Sequence, residues 1–307
     1  PRREKSTGKA APMARPLRPA NTGRTIAVNT HTHPAMVMAA PNGARRTKAD
    51  HPNLPVTIPE LVDEAVRCHA AGACAFHVHV RDADGRHVLD AGLYRETFAA
   101  IRAELGTKLV LQATTEAVGI YDAPTQIRLI EELKPEAVSV ALREIYPEGT
   151  AQGPVDEIFR FMSDEAIWPQ IILYDAADVH RFVALDERGD LFRQRRPSVL
   201  LVLGRYAEGQ IADPAELDPM LEALEPVRGG VEWSACVFGP PENTVSRDVF
   251  ARGGHMRVGF ENNLVRADGT RAEHNSDLVA HAVAAAKAAG RPLMTAATLR
   301  RAIKLWR

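Results

Sequence analysis

The segment Cys74-Ala-Phe-His-Val-His-Val80 is a short run of apolar and β-branched residues that contains two histidines. A helical pattern follows it from about Ala91 to Glu104, and a further apolar run then spans Lys108 to Ala113. Two parallel strands need a crossover between them, and that crossover is usually a helix. The segment therefore predicts the first strand of a β-α-β unit in an α/β protein.

The same alternation of strands and helices extends through most of the chain. A strand is expected before this unit at Ala35–Pro41, and Thr57 with Glu60 forms the capping box of the helix that follows it. Later strands are expected at Ala137–Leu142, Gln170–Tyr174, Ser198–Leu203, Val231–Val237 and Met256–Phe260. The helices between and after them are expected near Pro124–Leu133, Val155–Ala166, Ala177–Leu185, Asp213, Glu242, Asp277–Ala289 and Thr295–Leu305.

About eight such units are needed to close a (β/α)8 barrel. The rival architecture is an open doubly wound sheet, which normally carries a glycine-rich turn after its first strand. This chain has neither a G-x-G-x-x-G turn nor a P-loop. We therefore predict a (β/α)8 TIM barrel over residues 35–307 as the catalytic domain, with its active residues at the C-terminal ends of the strands.

The first 34 residues have a different composition from the rest of the chain. Glu4 is their one acidic residue, and Pro, Gly, Thr and Ala fill much of the remainder. Their basic residues are Arg2, Arg3, Lys5, Lys9, Arg15, Arg18 and Arg24. We expect residues 1–34 to form a disordered basic extension, because such a segment cannot bury enough apolar surface to fold.

Charge and cysteine content narrow the class of partner. The 307 residues include 38 Lys and Arg against 39 Asp and Glu, so no overall field favours nucleic acid or an acidic membrane. Three cysteines without a C-x-x-C pair do not make a disulfide framework. No apolar run approaches the roughly 18 residues of a membrane span. A cytoplasmic protein with a small-molecule partner, without nucleic acid or membrane, is expected.

Two strand ends carry candidate metal ligands. His77 and His79 are two residues apart on the second strand and therefore share one face. Glu261 closes the eighth strand, on the same face as Arg257 and Gly259, and Gly259 is expected to leave space beneath the site. Two imidazoles and a carboxylate suit a catalytic zinc ion. The alternatives are two polar core histidines and a plain ion pair between Arg257 and Glu261.

Several separated motifs resemble those of the β-keto acid cleavage enzyme family. They are HVHVRD and RVGFEN at the two strand ends, APNGARRTK on the first strand, QATTEAVG, and the GGHMRVG lead-in. The resemblance runs from about Met36 to the C-terminus and keeps the order of the motifs. It implies a zinc-bound (β/α)8 barrel that condenses a β-keto acid with acetyl-CoA as co-substrate, releasing acetoacetate and a new CoA thioester. It also implies a homo-oligomer, a tetramer.

The resemblance implies roles for individual residues. The zinc ligands fall on His77, His79 and Glu261, and the arginine that orients a substrate carboxylate falls on Arg257. A substrate-binding Ser or Thr after the third strand falls on Thr114 or Thr115. The substrate-binding set implied in this way is Asn42, Arg45, Thr114, Thr115 and Glu116.

The chain departs from the family pattern at the position of the general base. The family usually has an aspartate directly after the zinc glutamate, whereas this chain has Asn262, whose amide is not a useful proton acceptor. Glu144, after the fourth strand, is the replacement base that we expect, and Glu116 is the other carboxylate at a strand end. Pairing of Glu144 with Arg143 or another surface cation is the alternative.

A second departure concerns the charge of the substrate. Where family members with an amino keto acid substrate have a glutamate for the ammonium group, this chain has Arg45. A guanidinium repels an ammonium group and pairs with a carboxylate. We therefore expect an acidic, dicarboxylic β-keto acid as the substrate.

Two other functions stay open at the level of sequence. A metal-dependent hydrolase also uses H-x-H at a strand end, but it needs histidines closing strands five and six, and those strands end in Tyr174-Asp175 and Leu203-Gly204. A zinc-binding barrel with a degenerate active site, acting as a ligand-binding protein, would explain Asn262. The second H-x-H, His31-Thr-His33, precedes the first strand and is expected not to bind metal.

Overall fold

Parallel strands close into a barrel in the computed structural model, which describes residues 33–189, 192 and 196–306. Each strand pairs with its neighbours in chain order, and the first strand pairs with the eighth. The strands are β1 (Val37–Ala39), β2 (Ala75–Val78), β3 (Val110–Thr114), β4 (Ala137–Ala141), β5 (Trp168–Leu173), β6 (Ser198–Leu203), β7 (Glu232–Val237) and β8 (His255–Val258). The predicted TIM barrel is confirmed.

Helices connect successive strands and surround the barrel. They are α1 (Ile58–Ala71), α2 (Ala91–Leu105), α3 (Ala123–Leu133), α4 (Leu142–Ile145), α5 (Gln152–Asp164), α6 (Ala176–Arg188), α7 (Leu217–Leu224), α8 (Glu242–Ala251), α9 (Asn275–Ala288) and α10 (Ala296–Trp306). Thr57 and Glu60 form the expected capping box of α1. The helix expected at Asp213 begins with a short 3-10 turn, Pro214–Glu216, before α7. The single-turn helix α4 was not predicted.

Alternation along each strand divides the core into two layers. Leu111 and Ala113 of β3 pack outward in the cluster between strands and helices, whereas Val110 packs inside the barrel. Gln112 lies on the same inward face as Thr114, and both side chains are buried. The inner face of the barrel is therefore partly polar, which leaves hydrogen-bonding groups below its upper rim.

One end of the barrel is closed by the C-terminal helix. Leu299 and Ile303 of α10 pack against two buried residues, Trp168 at the start of β5 and Met38 in the middle of β1. This plug covers the N-terminal ends of the strands. The open end is therefore the one where the strands run into their following loops, as in other barrels of this kind.

The predicted basic extension falls almost entirely on residues 1–32, which lie outside the described residues. The described chain begins at His33, whose backbone carbonyl oxygen accepts a hydrogen bond from Arg291. In the described part of the chain, no helix has both the length and the apolar character needed to cross a membrane.

Candidate metal centre and active site

Three side chains expected to bind metal converge at the open end of the barrel. His77 Nε2 lies 3.0 Å from His79 Nε2. Glu261 Oε2 lies 3.6 Å from His77 Nε2 and 3.5 Å from His79 Nε2. Both imidazoles are buried, and Glu261 is 10% exposed. The three atoms therefore face one point that is sheltered from solvent.

The strand register explains why residues far apart in sequence meet here. Ala39 of β1 pairs with Phe76 on one side and with Val258 on the other. His77 therefore lies one residue past that level on β2, and Glu261 lies in the loop after β8. Because β1 is a short strand between them, side chains from its two neighbours reach each other across its end.

The donor set fits a divalent metal ion. A tetrahedral ion with bonds of about 2.0–2.1 Å keeps its ligand atoms roughly 3.4 Å apart, close to the separations found here. Glu261 Oε2 is buried and has no hydrogen-bond partner among the described residues. A buried carboxylate oxygen without a partner is costly unless a ligand satisfies it. His77, His79 and Glu261 thus offer two nitrogens and one oxygen to such an ion.

A chain of amide groups orients His77. Its Nδ1 lies 2.7 Å from Gln112 Oε1, while Gln112 Nε2 donates to Gln170 Oε1 and Gln170 Nε2 donates to Ser234 Oγ. Because Gln112 presents its oxygen, the ring proton of a neutral His77 sits on Nδ1, and the lone pair on Nε2 faces Glu261. Such outer hydrogen bonds fix the tautomer of a metal ligand.

We expect Gln112→Leu to weaken metal binding about 10–100-fold, the usual effect of removing an outer partner of a ligand histidine. Leucine keeps the size of the side chain but cannot hold the His77 ring. Competition with a chromogenic chelator measures the affinity. Ser139→Ala is the control, because Ser139 is another buried polar residue of the inner face that contacts Thr114 rather than a histidine. Equal affinities in the wild type and Gln112→Leu would contradict the prediction.

The charges around the three side chains also favour metal binding. Burial lowers the pKa of His77 well below its usual value, and Arg257 lowers it further, so the ring is neutral. Burial opposes ionisation of Glu261, but the charge of Arg257 holds its pKa well below the usual range. Arg257 Nη2 donates to Glu261 Oε1 at 2.9 Å and leaves Oε2 for the histidine side. The ion pair expected as an alternative is thus present together with the convergent ligand set.

A cavity opens onto these side chains. Its lining residues are His77, His79, Thr114, Glu116, Ile172, Tyr174, Val202, Arg205, Phe238, Arg257 and Glu261. A second cavity adjoins it, since both are lined by Glu116, Arg205, Phe238 and Glu261. Asn42 and Arg45 line this second cavity. Most residues that the sequence predicted for the site therefore line one or both of these adjoining cavities.

Arg205 lines both cavities but was not predicted from the sequence as a site residue. It follows β6 by two residues, and its Nη2 donates to Glu116 Oε1 at 2.9 Å. The other oxygen of Glu116 lies 3.7 Å from His79 Nδ1. Its place in the chain could have predicted this role, because a charged residue just past the C-terminal end of a barrel strand faces the active site. Arg205 and Glu116 together form the wall between the two cavities.

Glu144 and Asn262 do not line either cavity, contrary to the catalytic positions expected for them. Glu144 Oε2 accepts hydrogen bonds from the Ala117 backbone N–H and from Gln126, and burial raises the pKa of its carboxyl. Its expected alternative partner Arg143 binds Asp175 and Asp178 instead. The unpredicted helix α4 turns Glu144 sideways, toward the loop after β3.

The amide of Asn262 points into the barrel wall rather than into the cavity. Its Nδ2 lies 2.8 Å from Cys236 Sγ, and the residue is fully buried. The loop after β8 turns back at this point, because the N–H of Asn262 donates to the carbonyl oxygen of Gly259. Glu261 therefore faces the cavity while its neighbour in sequence faces away.

Three further expectations change at the level of single side chains. Thr115 donates to the Ser139 carbonyl oxygen and lies in the wall, so Thr114 is the threonine that faces the cavity. Asn42 donates to the backbone carbonyl oxygen of His79 and thereby supports that ligand. Gly259 leaves no space, because a Cβ there would lie 2.4 Å from the Ala40 carbonyl oxygen. The glycine is needed for close contact between β8 and β1.

A second group, His33, Glu232 and His255, also brings three possible ligands together. The Met36 backbone N–H donates to His255 Nδ1, so the proton of the neutral ring is on Nε2, which faces Glu232 Oε2 at 3.4 Å. A nitrogen that carries a proton cannot bind a metal ion. This group at the N-terminal ends of β7 and β8 is a hydrogen-bonded cluster that attaches the start of the described chain to the barrel.

Comparison with known proteins identifies the family of the chain. The family model for the beta-keto acid cleavage enzyme matches residues 34–305. The chain is 28% identical over 287 residues to the 3-keto-5-aminohexanoate cleavage enzyme of Fusobacterium nucleatum, which covers 88% of this chain and 97% of that protein. It is 26% identical over 273 residues to the 3-oxoadipate:acetyl-CoA acetyltransferase of Cupriavidus necator, covering 88% and 94%.

The fold is also found in a solved structure. The apo structure of ObcA matches with a TM-score of 0.67 and 18% sequence identity. The match covers 83% of this chain and 66% of that one, so this chain spans about two thirds of the length of ObcA. At this identity the likeness concerns the barrel alone. The family match over nearly all of the described residues shows that this chain is a member of the β-keto acid cleavage enzyme family.

Proposed function

We propose that this enzyme binds a zinc ion through His77, His79 and Glu261 and condenses a β-keto acid with acetyl-CoA to give acetoacetate and a new acyl-CoA. The observation that supports this most is the set of three buried ligand atoms, 3.0–3.6 Å apart, that face a cavity beside Arg257. A zinc ion bound there would act as a Lewis acid on the keto and carboxylate oxygens of the substrate.

The reaction needs a carbon nucleophile and a leaving group, and its bonds balance without a further reagent. The keto acid loses a proton from C2, and C2 attacks the acetyl carbonyl of acetyl-CoA and releases the CoA thiolate. The thiolate then attacks the original ketone carbon. The bond between C2 and that carbon breaks and C2 takes back a proton, so that acetoacetate leaves and the remainder of the keto acid stays as the new CoA thioester.

Side chains of the cavity wall match the charges of this reaction. Arg257 is buried, and its Nη2 donates hydrogen bonds to Cys236 Sγ and to Glu261 Oε1, beside the metal ligands. Its positive charge stabilises negative charge that develops on oxygen atoms in the cavity. Thr114 accepts a hydrogen bond from the Glu116 backbone N–H and holds the loop after β3 against the cavity.

Arg45 supports an acidic substrate. The other cavity-lining guanidinium groups are already engaged, because Arg46 donates to the carbonyl oxygens of Phe260 and Asn262, Arg205 pairs with Glu116 and Arg257 pairs with Glu261. No protein partner binds the exposed Arg45 within the described residues. The relative from Cupriavidus necator is named for 3-oxoadipate, a β-keto dicarboxylate. We propose that Arg45 pairs with the distal carboxylate of such a substrate.

A coupled assay tests the function and the substrate class together. Zinc-loaded enzyme with acetyl-CoA is given a cationic, a neutral and a dicarboxylic β-keto acid, namely 3-keto-5-aminohexanoate, 3-oxohexanoate and 3-oxoadipate. Mass spectrometry detects acetoacetate and the new CoA ester. We expect 3-oxoadipate to have the highest kcat/KM. In Arg45→Met this preference over 3-oxohexanoate should fall about 5-fold, since an exposed charge pair is worth up to about 1 kcal/mol.

The control for Arg45→Met is Lys48→Met, which removes a cation of the same loop whose ammonium group binds Glu60. A faster reaction with 3-keto-5-aminohexanoate than with 3-oxoadipate would contradict the proposed substrate class. Full zinc occupancy with no turnover on any of the three acids would favour the non-catalytic, ligand-binding barrel. A hydrolase is not favoured, because Asp175 after β5 caps α6 and pairs with Arg143.

The family resemblance implies a homo-oligomer, a tetramer, and three cysteines without a disulfide framework fit a reducing cytoplasm, so we propose this assembly and this location. Multi-angle light scattering of the purified chain measures the subunit number. A monomer at micromolar concentration would contradict the proposed assembly without affecting the proposed chemistry.

A further inference from the structure

Glu116 supplies a carboxylate to the cavity in addition to the metal-facing Glu261, and no other carboxylate of the described residues lines this space. It lies two residues past β3, and its side chain is 14% exposed. It lines both adjoining cavities, so a molecule that occupies them lies against it. This position places an acid-base group within reach of bound substrate, beside the metal ligands.

A hydrogen bond to one oxygen fixes the orientation of the Glu116 carboxylate. Its Oε1 accepts the hydrogen bond from Arg205, and Arg205 in turn lies over the rings of Tyr206 and Phe238. Its Oε2 has no protein donor within hydrogen-bond distance among the described residues, and the nearest ring nitrogen, His79 Nδ1, is 3.7 Å away. One oxygen is therefore anchored, and the other is free to accept a proton.

The other acid-base candidates near the cavity are occupied. Glu144 Oε2 binds the Ala117 N–H and Gln126, outside the lining. Asn262 is an amide, and it is turned toward Cys236. Glu261 faces the two histidine nitrogens that it would share with the metal. Proton removal from the substrate needs a base within hydrogen-bond reach, and Glu116 is the group that this geometry leaves.

We propose that Glu116 is the general base of the reaction proposed above, on which this inference rests. The C2–H bond of the keto acid breaks, its proton goes to Glu116 Oε2, and its electron pair remains on C2 and spreads to the keto oxygen. After the bond between C2 and the ketone carbon breaks, the same proton returns to C2 of the departing acetoacetate. Glu116 thus replaces the carboxylate that is missing at Asn262.

A different role for Glu116 would be to orient His79, because its Oε2 faces the Nδ1 side of that ring. Carboxylates often hold a ligand histidine in this way, and their removal weakens metal binding. The two roles differ in what they predict for Glu116→Gln. A base is needed for breaking the C2–H bond and not for holding metal, whereas an orienting group is needed for holding metal.

The experiment measures the two properties separately in the full chain. Zinc content is measured by atomic emission, and C2–H exchange of 3-oxoadipate is measured by mass spectrometry in D2O without acetyl-CoA, corrected for the protein-free rate. In Glu116→Gln we expect wild-type zinc content and at least a 100-fold loss of catalysed exchange and of kcat. Glu116→Asp should recover part of both rates. The control Glu144→Gln makes the same change outside the cavity and should stay near the wild type in both.

Each outcome either supports or overturns the role of Glu116 as the general base. Glu116→Gln that keeps zinc and still exchanges C2–H at the wild-type rate overturns the proposal. Loss of zinc from Glu116→Gln, with exchange falling in proportion, also overturns it and makes Glu116 a positioning residue of His79. Wild-type enzyme that neither exchanges nor cleaves any β-keto acid removes the proposed function itself, which is distinct from failure at Glu116 alone.

Discussion

Replacing His77 with alanine should reduce bound zinc to a small fraction of one ion per chain and lower kcat/KM by at least about 1000-fold. Lewis-acid stabilisation by a metal ion contributes several kcal/mol to the transition state, and each 1.36 kcal/mol is a factor of ten in rate. His77 Nε2 is one of three ligand atoms within 3.6 Å of one another, and no other described nitrogen near the cavity takes its place. Atomic emission and the coupled assay measure the two effects.

Glu261→Gln should have the same two effects for an additional reason. The amide has no charge to offer the metal, and its loss leaves the buried Arg257 without its carboxylate partner. Breaking one side of a buried pair costs about 3–5 kcal/mol of stability, so the melting temperature should fall as well.

The matched control for both substitutions is His33→Ala. His33 belongs to the second group of convergent side chains, which we interpret as hydrogen-bonded rather than metal-binding. Zinc content and turnover should not change in this variant. Loss of zinc from His33→Ala, together with full zinc in His77→Ala, would mean that the ion binds at the other end of the barrel.

Gly259→Ala should destabilise the barrel by roughly 2–5 kcal/mol, the largest effect on folding that we expect from adding one methyl group. The φ angle of Gly259 is +142°, and a Cβ there would lie 2.4 Å from the Ala40 carbonyl oxygen and 2.8 Å from Asn275 Oδ1. A positive φ costs a residue with a Cβ roughly 1–2 kcal/mol, and overpacking adds roughly 1–3 kcal/mol. Thermal and urea unfolding measure the change.

Gly269→Ala separates the two contributions. Its φ angle of +83° is also positive, but a Cβ there meets no atom within 4 Å. It should therefore cost only the backbone part, roughly 1–2 kcal/mol. Equal losses in Gly259→Ala and Gly269→Ala would show that contact between β8 and β1 contributes nothing, and would contradict our account of Gly259.

The close contact at Gly259 also matters for the proposed metal ligands. The N–H groups of Ala40 and Glu261 donate to the carbonyl oxygens of Val258 and Ala40 respectively, so the loop after β8 follows the end of β1. A Cβ on Gly43 in the loop after β1 would lie 2.5 Å from Glu261 Cγ. Two glycines thus let the carboxylate approach the histidines of β2 across a single short strand.

Much of this architecture follows from the amino-acid sequence by itself. Ser198–Leu203 is predicted and observed with the same bounds, and the ends of the other strands differ from the prediction by at most two residues. Period-two alternation put His77 and His79 on one face, and strand order put Glu261 within reach of them. These features depend on backbone periodicity and on the closed order of strands, and both can be read from local patterns.

The choice of partner for each polar side chain was decided only by the tertiary structure. Glu116 follows β3 and Glu144 follows β4, so both carboxylates come just after a barrel strand. Yet Glu116 accepts a hydrogen bond from Arg205, 89 residues away, whereas Glu144 accepts one from the backbone N–H of Ala117. Sequence periodicity gives the face on which a residue lies, but hydrogen bonds depend on which donors the loops bring near. The convergence of His77, His79 and Glu261 could therefore be predicted from the chain, whereas the position of Glu116 required the folded loops.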